Sequence, residues 1–157
     1  MIEIRRIDKD FKQFEDLLAL ILSAFSYMDG VIDPPSSAHR LTLDNLAQKA
    51  RDEIAFVALV GDDLAGCIFC RPEASRLYIG KLAVSPSSQG KGVGFALLQK
   101  AEELAGTLGL ATLRLETRIE LTGNHRRFSA WGFSKTAENS HPGFTRVTSI
   151  EMMKHLA

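Results

Sequence analysis

The hydrophobic and polar positions of this chain follow two periods, which predict an alternation of strands and helices. Four blocks repeat apolar residues every three to four positions, as amphipathic helices do: residues 11–25, 42–50, 93–108 and 121–131. Seven blocks have the apolar runs or the period of two that favour strands: residues 2–7, 54–60, 64–71, 77–84, 111–117, 144–153 and a segment that begins at 132. The predicted order is βααβββαβαββ, which indicates an α/β (α+β) fold.

Turn-forming residues separate these blocks. Residues 26–41 are rich in Gly, Pro and Ser and predict a loop or a broken helix, after which Thr42 can cap the second helix. Residues 61–63 predict a hairpin turn, and residues 139–143 predict a loop. Gly80 lies inside the fourth predicted strand, where an interior glycine often marks a bulge.

A glycine-rich segment, Gln-Gly-Lys-Gly-Val-Gly at residues 89–94, stands between a predicted strand and a predicted helix. Glycines allow the backbone to approach an anion closely, and the first N–H groups of a helix have no partner within the helix. The helix dipole adds about half a positive charge at the same end. The segment therefore predicts a site for a phosphorylated cofactor.

Three cofactor motifs and a plain turn compete for these glycines. A Walker loop would need Ser or Thr after its lysine, but Gly92 follows Lys91. A dinucleotide fingerprint would need a third glycine where Phe95 stands. If the segment were a plain turn, its glycines would weaken the start of the helix without any compensating interaction. The pattern Q/R-x-x-G-x-G/A fits at Gln89, Gly92 and Gly94, and it resembles the acyl-coenzyme A pyrophosphate loop of the GNAT N-acetyltransferase family.

A second region supports the resemblance and departs from it at one position. Asn124 follows the predicted fifth strand, and Gly132 and Phe133 close the next helix, as in the family. Phe128 occupies the position of the family's usual tyrosine, which often protonates the leaving thiolate. Phe128 has no proton to give, so the resemblance implies that its ring packs against the cofactor arm, with an ordinary core position as the alternative.

The resemblance extends over essentially the whole chain and implies the GNAT fold, with a mixed sheet of about seven strands, four helices and one domain over residues 1–157. It implies transfer of an acetyl group from acetyl-coenzyme A to an amine of a small molecule or protein, by direct attack on the thioester. In this family the strand before the loop splays, so that its backbone binds the cofactor, and Leu82 N–H is the expected donor to the oxyanion. The expected cofactor-binding residues are Leu82, Ala83, Val84, Gln89, Gly90, Lys91, Gly92, Val93, Gly94, Phe95, Asn124 and Phe128.

The reaction needs a deprotonated amine, and an alkylamine has a pKa of about 10, so a base is expected. Glu116, at the end of the fifth strand, and His125 are the expected catalytic residues. A surface ion pair of Glu116 with Arg114 or Arg118 is the alternative, and His125 has the alternative of a solvated helix residue. In this family the loop between the first two helices lines the acceptor site. The resemblance therefore implies acceptor-binding roles for Tyr27, Asp29, Asp33 and His39. The tyrosine and the histidine are further candidate bases.

Composition narrows the remaining possibilities. The formal net charge is zero, without the basic excess of a nucleic-acid surface, and no apolar run is long enough to span a membrane. The expected location is the cytoplasm and the expected assembly is a homodimer. Cys67 and Cys70 form a C-x-x-C inside a predicted strand, where the period of two sends them to opposite faces, so no redox pair or metal site is expected. A non-catalytic acyl-coenzyme A-binding module on the same fold is the alternative function.

Overall fold

Seven strands form one mixed sheet in the computed structural model, which describes residues 1–156. The strands are β1 (Ile2–Arg6), β2 (Ile54–Val60), β3 (Asp63–Pro72), β4 (Arg76–Val84), β5 (Thr112–Arg118), β6 (Ser134–Asn139) and β7 (Ser149–His155). Their order in the sheet is β1-β2-β3-β4-β5-β7-β6, and β4 with β5 is the parallel pair among antiparallel ones. The predicted mixed sheet of seven strands is confirmed.

Four helices flank the sheet, as the sequence predicts. They are α1 (Phe14–Phe25), α2 (Leu43–Asp52), α3 (Val93–Thr107) and α4 (Thr122–Ala130). The predicted cap of α2 is present as a capping box: Thr42 Oγ1 accepts from Asn45 N–H at 3.1 Å, and Asn45 Oδ1 accepts from Thr42 N–H at 2.8 Å. Residues 26–41 form a loop with short 3₁₀ turns at Ser26–Met28 and Ser37–Arg40. None of the helices in residues 1–156 has the length and apolar character needed to cross a membrane.

Two apolar layers hold the helices on opposite faces of the sheet. On one face, α1 and α2 pack on β2 and β3, where Leu17 and Leu46 share a buried cluster with Phe69. On the other face, α3 packs through Leu97 against residues such as Leu113. The sheet face under α1 and α2 is apolar at β2 and β3 but polar at β5. There Arg114, Glu116 and Arg118 lie on this face, and the buried residues between them point to the other face.

A bulge and a divergence of strands break the regularity of the sheet at β4. Phe69 of β3 pairs with Lys81 and Cys70 pairs with Ile79, so Gly80 is the extra residue of a bulge, as predicted. The parallel pairing of β4 with β5 ends at Ile79 and Leu115, although β4 continues to Val84 and β5 to Arg118. The carboxyl ends of β4 and β5 therefore enclose a gap, which we call the β4–β5 gap.

One predicted strand boundary is wrong. The last strand begins at Ser149 rather than at Phe144, because residues 140–148 form a loop. Within that loop Phe144 N–H donates to His141 O at 3.0 Å, which is a turn contact. The apolar side chains of Phe144 and Val147 suggested a strand, but backbone bonds to the neighbouring strands begin only at Thr148, which donates to Asn139 O and accepts from Ile119 N–H, each at 2.9 Å.

The two cysteines occupy opposite faces of β3, as the period of two predicts. Cys67 belongs to the core under α1 and α2, and Cys70 belongs to the core under α3. Both are free thiols without exposed surface, and burial raises the pKa of each to about 12. Since the thiolate is the reactive form, both side chains act as small core residues at neutral pH.

Candidate active site

The β4–β5 gap exposes one row of backbone groups from β4. Ser85 N–H donates to Ala65 O of β3 at 2.8 Å, and backbone groups alternate in direction along a strand. Ala83 therefore turns its N–H and C=O toward β3, whereas Leu82 and Val84 turn theirs toward the gap. Of the three residues expected to hold the cofactor by their backbone, two are free to do so.

Gln89 stands at the mouth of this gap. Its Nε2 donates a long hydrogen bond of 3.4 Å to Val84 O at the end of β4. The side chain of Gln89 thus connects the open edge of β4 to the start of the glycine loop. The two expected parts of the cofactor site are adjacent in space as well as in sequence.

The glycine loop has the geometry of an anion cradle. Gly90 and Gly92 adopt φ values of +77° and +85°, and no atom lies within 4 Å of where a Cβ would stand on either residue. The first backbone hydrogen bond of α3 is donated by Ala96 N–H to Gly92 O. The N–H groups of residues 93–95 therefore have no backbone acceptor within residues 1–156. Open space, free donors and the helix dipole together fit a phosphate group.

The other members of the loop differ in their role. Lys91 is exposed, Phe95 is 40% exposed, and Val93 is buried in the core beneath α3. Val93 can therefore contribute its backbone but not its side chain. Gly94 is helical, and a Cβ there would lie 3.3 Å from Trp131 Cη2, so this glycine allows α4 to approach α3 closely.

Phe128 lies in an aromatic cluster on the α3 side of the sheet. Its ring packs edge-on against Trp131 and Phe133, with centroids 5.8 Å apart in each pair. Phe95 extends the row toward the glycine loop, 6.0 Å from Trp131. Phe128 is only partly buried, so it joins the core and also presents ring surface beside α4.

Glu116 stands free of the ion pairs that sequence alone suggested for it. Its Oε1 accepts a hydrogen bond from Asn139 Nδ2 at 2.8 Å, and the side chain is exposed. Arg114 instead pairs with Glu73 at 2.8 Å and with Glu151 at 3.3 Å. Glu116 follows the last residue of β5 that pairs with β4, and its carboxylate is held by Asn139 of β6, on the side of β5 away from β4.

The start of α4 contacts the loop at residues 26–41, which we call the acceptor loop after its expected role. Asn124 Nδ2 donates to the Tyr27 hydroxyl at 3.1 Å, which joins an expected cofactor-binding residue to an expected acceptor-binding one. His125 Nε2 lies 2.9 Å from Arg118 O, and since a carbonyl only accepts, this nitrogen carries the proton. Nδ1 is then the atom of His125 that is left to accept a proton.

The two aspartates of the acceptor loop already contact basic side chains. Asp29 Oδ1 lies 2.7 Å from His39 Nε2, and both side chains are about half exposed. Asp33 Oδ2 lies 3.1 Å from a guanidinium nitrogen of Arg146. Asp29, Asp33 and His39 thus contact other protein groups, and Tyr27 is the one of the four expected acceptor residues that the structure joins to α4.

Several side chains near the gap were missed from the sequence. Arg118 donates from its guanidinium to Pro34 O at 2.6 Å and to Pro35 O at 3.2 Å, which fixes the acceptor loop to the end of β5. His141 bonds Thr148 through Nδ1, and burial, with Arg118 as the next contributor, lowers its pKa below the ordinary value. The Arg118 contacts join residues more than 80 positions apart, and the His141 contact depends on how the loop at residues 140–148 folds, so no local sequence pattern marks either of them.

Comparisons with known proteins identify the class. A sequence model of the acetyltransferase (GNAT) family matches residues 14–133, and the chain therefore belongs to that family. No curated protein sequence matches the chain. Acetyl transfer from acetyl-coenzyme A is thus the activity of this protein, and neither comparison supports the alternative of a non-catalytic binding module.

Solved structures agree with this fold. The chain is similar to the PaiA N-acetyltransferase of Thermoplasma acidophilum in complex with coenzyme A, at 18% identity over 99% of each chain, with a TM-score of 0.80. It is also similar to the ribosomal-protein-S18-alanine N-acetyltransferase of Escherichia coli, at 18% identity over 100% of this chain and 95% of that one, with a TM-score of 0.76. A GNAT acetyltransferase of Elizabethkingia anophelis with bound acetyl-coenzyme A gives 18% identity, 99% and 98% coverage and a TM-score of 0.70. At these identities the likeness concerns the fold.

The anchoring of the acceptor loop generates a stability prediction. Replacing Arg118 by methionine removes two hydrogen bonds from a charged donor, and we expect the free energy of unfolding to fall by about 1.5–3 kcal/mol. Replacing Arg146 by methionine is the comparison: its guanidinium contacts the same loop at Asp33 O and Oδ2, but it is half exposed, so the loss should stay below about 1 kcal/mol. Urea unfolding followed by fluorescence measures both, and equal losses would show that Arg118 anchors the loop no more strongly than the exposed Arg146 does.

Proposed function

We propose that acetyl transfer to an amine takes place in the β4–β5 gap. The observation that carries this proposal is the end of β4–β5 pairing at Ile79 and Leu115, directly before an open glycine loop at residues 89–94. The two features give a row of free backbone groups that continues into an anion cradle. Such a row suits a long ligand that carries amide groups at one end and phosphates at the other.

The residues of this chain would divide the cofactor between them. The N–H groups at the start of α3, with the open backbone of Gly90 and Gly92, would hold the pyrophosphate. Leu82 and Val84 would pair with the amides of the pantetheine arm. Asn124 and Phe128 would line the arm from α4. When bound, the cofactor supplies an activated thioester carbonyl and a thiol as the leaving group.

The Leu82 N–H has a second use in this proposal. It points into the β4–β5 gap just beyond the Gly80 bulge, where it can donate to an oxygen that gains negative charge. A donor fixed in a strand needs no reorganisation during the reaction. The rigid edge of β4 would also hold the thioester beside the amine. Such positioning lowers an activation barrier by about 7–11 kcal/mol in favourable cases.

Glu116 is our candidate for the general base. Glu116 comes directly after the end of β4–β5 pairing, and its exposed carboxylate engages one neutral amide donor, Asn139 of β6, so it can take a proton directly or through a water. His125 is the second catalytic candidate, acting through Nδ1. His141 adds a third, because its lowered pKa keeps the imidazole neutral at pH 7. The hydroxyl of Tyr27 already accepts a bond from Asn124, which makes it a weaker candidate.

Phe128 leaves the departing thiolate without a tyrosine proton. A thiol has an ordinary pKa of about 8.5, so the thiolate is a tolerable leaving group near neutral pH, and water can supply the proton.

The acceptor is an amine of a small molecule or a protein, held beside the loop at residues 26–41. We also propose a homodimer in the cytoplasm.

A glycine substitution tests the phosphate cradle. Gly92→Ala places a methyl group where the backbone must meet the phosphate oxygens, and we expect the Kd for coenzyme A to rise by about tenfold or more through lost hydrogen bonds. Isothermal titration calorimetry measures this Kd.

The matched control is Gly109→Ala, in the turn between α3 and β5. Gly109 also has a positive φ, +71° against +85°, and open space around its Cβ position. Both variants carry a left-handed strain of about 1–2 kcal/mol, so their thermal stabilities should fall alike. If Gly92→Ala binds coenzyme A as tightly as Gly109→Ala does, the phosphates do not lie in this loop.

A carboxylate substitution tests the base. Glu116→Gln keeps the shape and the contact with Asn139, and we expect kcat/KM at pH 7 to fall about 10²-fold, a size typical of lost general-base catalysis. The deficit should shrink as pH rises toward 10, because the free amine fraction grows. Release of free thiol with a panel of amines measures the rates.

Glu138→Gln on β6 is the control, since that carboxylate pairs with Lys135 on an exposed edge. It should match the wild-type rate across the pH range. Full activity of Glu116→Gln at pH 7, together with loss of activity in His125→Ala or His141→Gln, would move the base to one of those histidines.

A further inference from the structure

Three cations lie near the point where β4 leaves β5, and we call them the Lys81 cluster. They are Lys81 on β4, Lys49 on α2, whose Nζ lies 3.8 Å from the ideal Cβ position of Gly80, and Arg40 at the end of the 3₁₀ turn Ser37–Arg40, which Lys81 contacts through Ser37. Lys81 follows the Gly80 bulge directly. The cluster therefore lies beside the proposed acetyl position.

The charges of the Lys81 cluster are incompletely balanced. Glu53 pairs with Lys49 at 2.6 Å, and its negative charge also acts to raise the pKa of Lys81. Lys81 Nζ donates to Ser37 Oγ at 2.8 Å, and neither Lys81 nor Arg40 forms an ion pair with a carboxylate of the described residues. Burial lowers the pKa of Lys81, and the like charges of Lys49 and Arg40 lower it further, so an anion placed here would relieve both effects.

The cofactor phosphates do not supply that anion. Lys81 lies on the face of the sheet covered by α1 and α2, where its strand neighbour Ala83 and its partner Phe69 belong to the core under those helices. The glycine loop begins α3, which packs on the opposite face. The Lys81 cluster thus borders the acceptor side of the gap.

Glu116 of β5 and Lys81 of β4 lie on the same face of the sheet. Ile79 and Leu115 are the last paired residues, both pointing into the core under α3, so Glu116 projects to the same face as Lys81. This face therefore carries a carboxylate on β5, held by Asn139, and cations with a hydroxyl donor, Ser37, beside β4. It is complementary to a molecule that carries both an ammonium and an anionic group.

We propose that the acceptor is an amine bearing a carboxylate or a phosphate, with its amine at Glu116 and its anionic group at Lys81, Arg40 and Ser37. This inference rests on the proposed function, since it places the acceptor in the same gap. Lys81 is a specificity-determining residue in this arrangement. A neutral amine of the same shape would leave the cations without a partner.

Paired substrates test the inference. The standard amino acids are compared with their carboxamides, and O-phosphoethanolamine is compared with ethanolamine, using thiol release from acetyl-coenzyme A. In the wild type we expect kcat/KM for the anionic member to exceed that for the neutral one by about tenfold to a hundredfold in one of the two series, the usual worth of a hydrogen bond to a charged group. The series that shows the preference identifies a carboxylate or a phosphate.

Variants assign the preference to the cluster. Lys81→Met keeps the length of the side chain and removes its charge, so the preference should fall toward one, and Arg40→Met should reduce it as well. Lys9→Met, at an exposed position before α1, is the control and should retain the wild-type preference. Stabilisation of each variant by coenzyme A shows that the protein is folded and binds the cofactor.

The outcomes separate the two proposals. Equal or better use of the neutral members in both series, or an undiminished preference in Lys81→Met, would overturn the anionic acceptor while leaving acetyl transfer intact. Absence of thiol release with every amine, together with absence of stabilisation by coenzyme A, would overturn the proposed site and this inference with it.

Discussion

The interruption of backbone pairing between β4 and β5 is the constraint on which the rest of the structure depends. The parallel ladder extends from Arg76 with Thr112 to Ile79 with Leu115 and then ends, although both strands continue. Backbone groups of a strand need partners, so the open edge of β4 is stable only where a ligand or water replaces the missing strand. The bulge at Gly80 sets the point of departure and turns Leu82 and Val84 toward the gap.

The two faces of the sheet divide the chemistry at that gap. On one face α3 begins with free N–H groups and open glycines, which suit phosphate, and the aromatic row from Phe95 to Phe128 continues from it. On the other face the loop at residues 26–41 is fixed to β5 by Arg118 and carries polar groups toward Lys81. A thioester bound from the first face and an amine bound from the second would meet between Leu82 and Glu116.

The features predicted correctly from sequence are those that local chemistry determines. The helix cap at Thr42, the bulge at Gly80 and the strand–glycine–helix order each depend on a few consecutive residues. The contacts of Asn139 with Glu116 and of Ser37 with Lys81 join residues 23 and 44 positions apart, and only the sheet order brings them together. The start of β7 was misplaced at Phe144 because apolar loop residues have the same pattern as a strand end.

Hydrogen exchange at single backbone amides tests the central claim most directly. In the free protein Leu82 and Val84 should exchange rapidly, whereas Ala83, whose N–H points to β3, should already be protected. Saturating coenzyme A should slow exchange at Leu82 and Val84 by about a hundredfold, the expected effect of a ligand at 100 times its Kd, and should leave Ala83 the slowest of the three. Unchanged exchange at both residues, with coenzyme A shown to bind, would contradict the account.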